Sequence, residues 1–154
     1  MIKLNQDIDQ ERTQREAVVA EAREWLGTPY HHRAQVMGAG VDCGQLLVAV
    51  YVACGLVAPF ETGDYPADWM LHREEERYLG WVKKFAVETA TPQPGDIVVW
   101  QFGRCISHGG IVVEWPQIIH AYRPECMCVL GDGSIGDLAH RKPRFFTIWP
   151  EREI

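Results

Sequence analysis

Long apolar runs are missing from this chain. Nowhere is there a stretch of the length a bilayer-spanning helix needs, and the N-terminal segment MIKLNQDIDQERTQREAVV is charged where a secretion signal would be apolar. The expectation is synthesis in the cytoplasm without a signal peptide, and no membrane partner. Positive charge is also short: 15 Lys and Arg stand against 21 Asp and Glu, a formal net charge of −6. No clustered basic surface is available to neutralise phosphates, which excludes nucleic acid as a partner. Cysteine is sparse and irregular. Its count of five is odd and no CxxC pair occurs, so reduced thiols are expected and not a disulfide framework. Cys126 and Cys128, two apart on an expected strand, would share a face and could join His120 or His140 around zinc. They lack any known ligand spacing, so no metal and no organic cofactor is expected. Cys54 and Cys105 read, with these two, as small buried apolar residues. Repeats, low-complexity segments and linkers are absent too. With 47% hydrophobic residues, positions 1–154 read as one domain with a sizeable core.

What is present begins with helices and ends with strands. From about 9 to 26, Val18, Ala22, Trp25 and Leu26 recur at helical spacing among charged residues, which predicts an amphipathic helix stopped by Gly27 and Pro29. A loop to Val41 follows. A second helix starts at Cys43, buries Leu46, Leu47, Val50, Tyr51 and Cys54, and ends at Gly55. A third is expected within 67–85, with Trp69, Leu71, Leu79 and Trp81 as its apolar surface and Glu74 to Glu76 solvated. After Pro92, Pro94 and Gly95, strands are predicted near 96–102, 109–115, 117–123, 126–130 and 144–149. The segment GDGSIGD at 131–137 reads as a turn, too short and irregular for a calcium loop. The order points to an α+β fold with an antiparallel sheet.

The chemistry gathers at three residues. Asp42 stands where a glycine-bearing loop becomes a helix and can cap it, leaving Cys43 in the first turn, where unpaired backbone N–H groups favour thiolate. The Cys43 N–H is also a candidate oxyanion donor. His108 and His120 lie twelve residues apart on two expected strands joined by a short turn containing Pro116. A hairpin turning at Glu114 would set both imidazoles on one face, nearly opposite. One ring can then take the thiol proton while the other orients it. Gly109 and Gly110 beside His108 suggest close approach of backbone or ligand.

The fragments GTPY, DCGQLL, PGDIVVW, SHGGIVV and IIHA, in that order and spacing across about residues 16 to 122, resemble the NlpC/P60 cysteine peptidases, which cleave stem peptides of bacterial cell walls. The resemblance implies a papain-like α+β fold, with helices packed on an antiparallel sheet. It implies Cys43 as nucleophile, His108 as general base and His120 as third polar member, and substrate contacts at Tyr30, Asp42, Ser107 and Gly109. Tyr30 would offer its hydroxyl to substrate or oxyanion, or else close the first loop as a buried ring. Asp42 would recognise a stem-peptide amine as well as cap the helix. His31, His32 and Arg33 would rim the cleft with positive charge, or else form only a solvated loop. His72 and His140 receive no role. Three positions depart from the usual family pattern: Gly44 and Gln45 follow the cysteine where Ser-Gly is common, and Gly109 stands where a β-branched residue is common. Compact versions without a leader resemble phage-encoded peptidases, so the implied substrate is a peptidoglycan stem peptide and the implied partners are phage tail proteins, with a place in the virion. Two alternatives stay open. One is an amidase or acyltransferase of papain-like fold, and the other is a non-catalytic tail or wall-binding module.

Overall fold

The computed structural model describes residues 5–60, 77–103 and 105–150. The first helix, α1 (Asn5–Glu24), begins and ends earlier than its pattern suggests. Val18, Ala22 and Trp25 are buried as expected, whereas Leu26 lies past the helix end and is exposed. A two-residue hairpin, β1 (Gln35–Val36) and β2 (Gly40–Val41), leads into α2 (Cys43–Ala53). Asp42 is the N-cap of α2, its side chain accepting from the Gln45 N–H, and Gly55 with φ 71° follows the Cys54 C-cap. The third helix, α3, spans Arg77–Phe85; the earlier part of its predicted range, with Trp69, Leu71 and His72, lies outside the described residues.

The remaining strands are β3 (Val87–Thr89), β4 (Ile97–Phe102), β5 (Cys105–Glu114), β6 (Gln117–Tyr122), β7 (Met127–Asp132) and β8 (Arg144–Thr147). They form one antiparallel sheet in the order β3-β8-β4-β5-β6-β7. The expected α+β architecture is what forms. Three details differ. β3 has no counterpart in the predicted strands. β5 starts at Cys105, ahead of the start predicted near 109, and carries His108 as expected. Cys126 adopts φ 61° and ends a single 3-10 turn, so it does not share a regular strand face with Cys128.

Strand alternation gives the sheet two buried faces. Ile97, Val99, Ile111, Val113, Ile119, Ala121 and Phe146 meet the helices, packing with Val18, Ala22, Leu46, Val50 and Cys43. Val98, Trp100, Val112 and Ile118 point the other way and are covered by Leu138 from the 3-10 turn Gly136–His140. A buried ion pair ties α1 to this frame: Arg15 donates to the Asp96 carboxylate at 2.8 Å and to the Pro94 carbonyl at 3.0 Å, with Glu11 at 2.9 Å. Its guanidinium lies 4.4 Å from the Trp149 ring centroid. No helix among the described residues is long and apolar enough to cross a membrane.

Candidate active site around Cys43

The loop before α2 is held by the sheet and by Asp42. The Gly27 and Tyr30 N–H groups donate to the Cys128 and Cys126 carbonyls at 2.9 and 2.8 Å, which brings half-buried Tyr30 alongside Val41. Buried Asp42 accepts from Gln45 N–H with one oxygen and from Arg33 N–H with the other, both at 2.8 Å. Arg33 takes the left-handed conformation, φ 63°, to make that contact. His31, His32 and Arg33 are exposed, with His32 Nδ1 4.0 Å from the Asp42 carboxylate. Asp42 thus serves as cap and as loop anchor together.

Cys43 is buried, and its thiol donates to the Ser107 carbonyl at 3.3 Å. That carbonyl is available because β5 bulges there: Trp100 pairs with His108 and Gln101 with Ile106, leaving Ser107 unmatched. The thiol therefore touches the peptide group that joins Ser107 to His108, not the imidazole. The Ser107 hydroxyl donates to the Phe102 carbonyl at 3.4 Å.

The two histidines meet directly, His108 Nε2 to His120 Nδ1 at 2.9 Å. They share a sheet face, as the even spacing requires, but they are diagonal neighbours and not nearly opposite. Ile111 pairs with Ile119 and Glu114 with Gln117, so the turn falls at Trp115 and Pro116 and the register sets Gly110 beside His120. A Cβ at Gly110 would come within 2.8 Å of the Ile119 carbonyl and 2.9 Å of the His120 Cβ. The rings lie on the face away from the helices. His108 stacks on Trp100 with centroids 5.7 Å apart, and His120 stacks on Tyr122 at 4.6 Å.

Burial governs the electrostatics. It pushes the Cys43 thiol well above the usual thiol range, the Asp42 carboxylate adding to the shift, while Tyr30 and the backbone N–H groups of Gly44 and Cys43 pull the other way. The first-turn effect expected from sequence is present and outweighed. Burial, then the neighbouring ring, holds His108 well below its ordinary value, and burial lowers His120 to about 4. Tyr30 is raised by burial, then by Cys43 and Asp42. The resting site holds a neutral thiol against the Ser107 carbonyl and two neutral imidazoles bonded to each other.

Sequence reasoning found the helix α3 but gave it no part in the site. Tyr78, not Leu79, supplies its most buried contact, and its hydroxyl donates to the Cys43 carbonyl at 3.1 Å. A Cβ on Gly109 would sit 2.5 Å from that hydroxyl, and one on Gly44 would meet the Trp81 ring at 3.2 Å. Gly44 and Gly109 make room for α3, and Gly109 is buried beneath Tyr78. The signal was the i, i+4 pair Tyr78 and Val82, both buried.

Residues 27–129, about two thirds of the chain, match the model of the NlpC/P60 family. The chain belongs to that family. No curated protein matches it as a sequence relative. The NlpC/P60 domain of the peptidoglycan hydrolase SagA is similar in structure with a TM-score of 0.58 at 21% identity, covering 84% of this chain and 96% of that one. The peptidoglycan hydrolase RipB from Mycobacterium tuberculosis gives 0.62 at 17% identity, over 93% and 68%. NlpC1 from Trichomonas vaginalis gives 0.61 at 16%, over 86% of this NlpC/P60 chain and 42% of that structure. These likenesses carry the fold, with helices on one antiparallel sheet.

Proposed function

We propose that this NlpC/P60 chain is a cysteine endopeptidase that hydrolyses a γ-D-glutamyl bond in peptidoglycan stem peptides. The observation that carries the reading is the His108–His120 pair joined at 2.9 Å, with the Cys43 thiol held against the peptide group that bears His108. His108 Nε2 is engaged with His120, so the nitrogen free to accept a proton is Nδ1. That tautomer has Nε2–H donating to His120 Nδ1, and the same bond stabilises the imidazolium once the proton arrives. Cys43 turns from the Ser107 carbonyl to His108, loses its proton and attacks the substrate carbonyl. His108 returns the proton to the leaving amine, and water hydrolyses the thioester. The first-turn N–H groups of Cys43 and Gly44, which draw the thiol value down, suit an oxyanion formed beside the sulfur. Tyr30, next to the sulfur, and Asp42 are the proposed substrate contacts, with Ser107 contributing through its backbone and Gly109 through the close packing it permits.

Incubation with purified peptidoglycan and mass spectrometry of the released fragments tests the reading. Wild type should release peptides and Cys43→Ala should release none; equal release by the variant removes the nucleophile. We further propose a place on a phage tail. Absence of the chain from purified virions in a proteomic survey removes that placement.

A second reading is favoured by one observation: the thiol is neutral, buried and bonded to a carbonyl, as suits a wall-binding module that does no chemistry. Alkylation separates the two. A thiol that stays inert to iodoacetamide in the presence of stem peptide, with fragments never released, selects the module.

A further inference from the structure

We propose that Tyr78 is a positioning residue that clamps the Cys43 end of α2 onto the strand carrying His108, with Gly44 and Gly109 as the spaces that admit it. The inference rests on the reading of Cys43 and His108 as nucleophile and base. It begins with two glycines in regular structure. Gly44 lies in the first turn of α2 and Gly109 within β5, and neither has a positive φ. Glycine within regular structure carries an entropic cost relative to alanine, so conformation does not account for them. Space does. A Cβ on Gly109 would lie 2.5 Å from the Tyr78 hydroxyl, 3.0 Å from its ring and 2.9 Å from the Val98 carbonyl. A Cβ on Gly44 would lie 3.2 Å from Trp81 and 3.6 Å from the Tyr78 ring.

What enters that space is a tyrosine only 1% exposed, donating to the Cys43 carbonyl at 3.1 Å. One side chain therefore bonds the backbone of the nucleophile and lies in van der Waals contact with the residue next to the proposed base. The two catalytic groups come from distant segments and have no hydrogen bond to each other in the resting state. Their separation is set by how α2 seats on β5, and Tyr78 sits at that seat. Phenylalanine would fill the same volume and lose the bond. The hydroxyl then matters through alignment, for which a misplacement of about 1 Å can cost up to a hundredfold in rate.

The test compares Tyr78→Phe with Tyr51→Phe. Tyr51 is an equally buried tyrosine of α2 whose hydroxyl donates to the Gly95 carbonyl, away from Cys43. Three readouts are taken: kcat and KM on soluble peptidoglycan fragments, the rate of iodoacetamide modification at Cys43 resolved by peptide mass spectrometry across pH, and thermal midpoint. Tyr78→Phe should lower kcat about tenfold with KM within about twofold, and change the Cys43 modification profile about threefold or more. Tyr51→Phe should lower the midpoint and leave both other readouts in place. Gly109→Ala, whose Cβ would meet the Val98 carbonyl as well as the Tyr78 ring and hydroxyl, should lower kcat at least as much as Tyr78→Phe. Wild-type kcat and modification rates in Tyr78→Phe overturn the proposal, as does a loss confined to KM or to thermal midpoint. If wild type cleaves no peptidoglycan, the peptidase reading falls and the modification profile alone decides the clamp. If wild type cleaves and Tyr78→Phe matches it, the reading stands and the clamp falls.

Discussion

Which proton sits on which atom is decided by residues that exclude water. His108 and His120 are both buried, and both are held below the ordinary imidazole value. His108 therefore stays neutral, and competent as a base, into mildly acid solution. The acid limb of kcat/KM for peptidoglycan fragments should fall below pH 6.5, the ordinary histidine value. A limb at or above 6.5 would show that His108 is solvated in the working enzyme. Asp42 works against ionisation of Cys43, so Asp42→Asn, which keeps an oxygen for the Gln45 N–H, should speed Cys43 alkylation at a given pH. Unchanged or slower alkylation would contradict the charge effect. Gly131 is a less visible dependency. A Cβ there would sit 2.9 Å from His120 Nε2, so Gly131→Ala should displace that ring and lower kcat about tenfold or more, with retained circular dichroism as the check on folding.

Among elements, α1 depends on a charge inside the protein. Arg15 and Asp96 are both buried and joined at 2.8 Å, linking the helix to the turn before β4. Removing Asp96 leaves Arg15 with Glu11 as its remaining counter-charge and strips the Gln93 N–H of its acceptor, at a cost of about 3 kcal/mol, the low end for breaking a buried pair. Asp96→Ala should therefore lower the thermal midpoint by about 10 °C. A drop of less than about 2 °C in a calorimetric scan would mean that Arg15 finds water when its partner is gone. The PGD turn announced a stop before a strand, and the strand follows. Its aspartate's partner, 81 residues earlier in the chain, had no local signature. The same holds for α3. Its pattern identified a helix, but Tyr78 was invisible as a contact because its partners, Cys43 and Gly109, come from two other elements.

The whole molecule should show a stability plateau with two shoulders. His108 and His120 bind protons less readily folded than unfolded, so their contribution is full above about pH 6.5 and is lost as pH falls toward 4. Cys43 and Cys128, the latter pushed up to about 12 by burial, have raised values. Their contribution is full below the ordinary thiol range and is lost as pH rises beyond it. Thermal midpoints measured from pH 4 to 10 should peak between about 6.5 and 8.5. A midpoint that rises steadily on acidification would reverse the sign required of the buried histidines.

Much of the site could be read from local order alone. Asp42 before Cys43 specifies a capped helix start, because a cap needs only its neighbours three residues on. The twelve-residue spacing of His108 and His120 puts both rings on one sheet face, because alternation along strands is fixed by backbone geometry. Register is not local. The turn falls at Trp115 and Pro116, not at Glu114, and that shift of register moved the rings from opposite to diagonal. Ionisation is not local either. The unpaired N–H groups at the start of α2 act on the sulfur as the sequence implies, yet desolvation by packed segments far apart in the chain outweighs them. Chain order by itself determined which side chains can take part and how each is presented by its own helix or strand. Tertiary packing decided how the elements seat on one another, which atoms meet and how little water reaches them, because each of those quantities is summed over neighbours from distant parts of the chain.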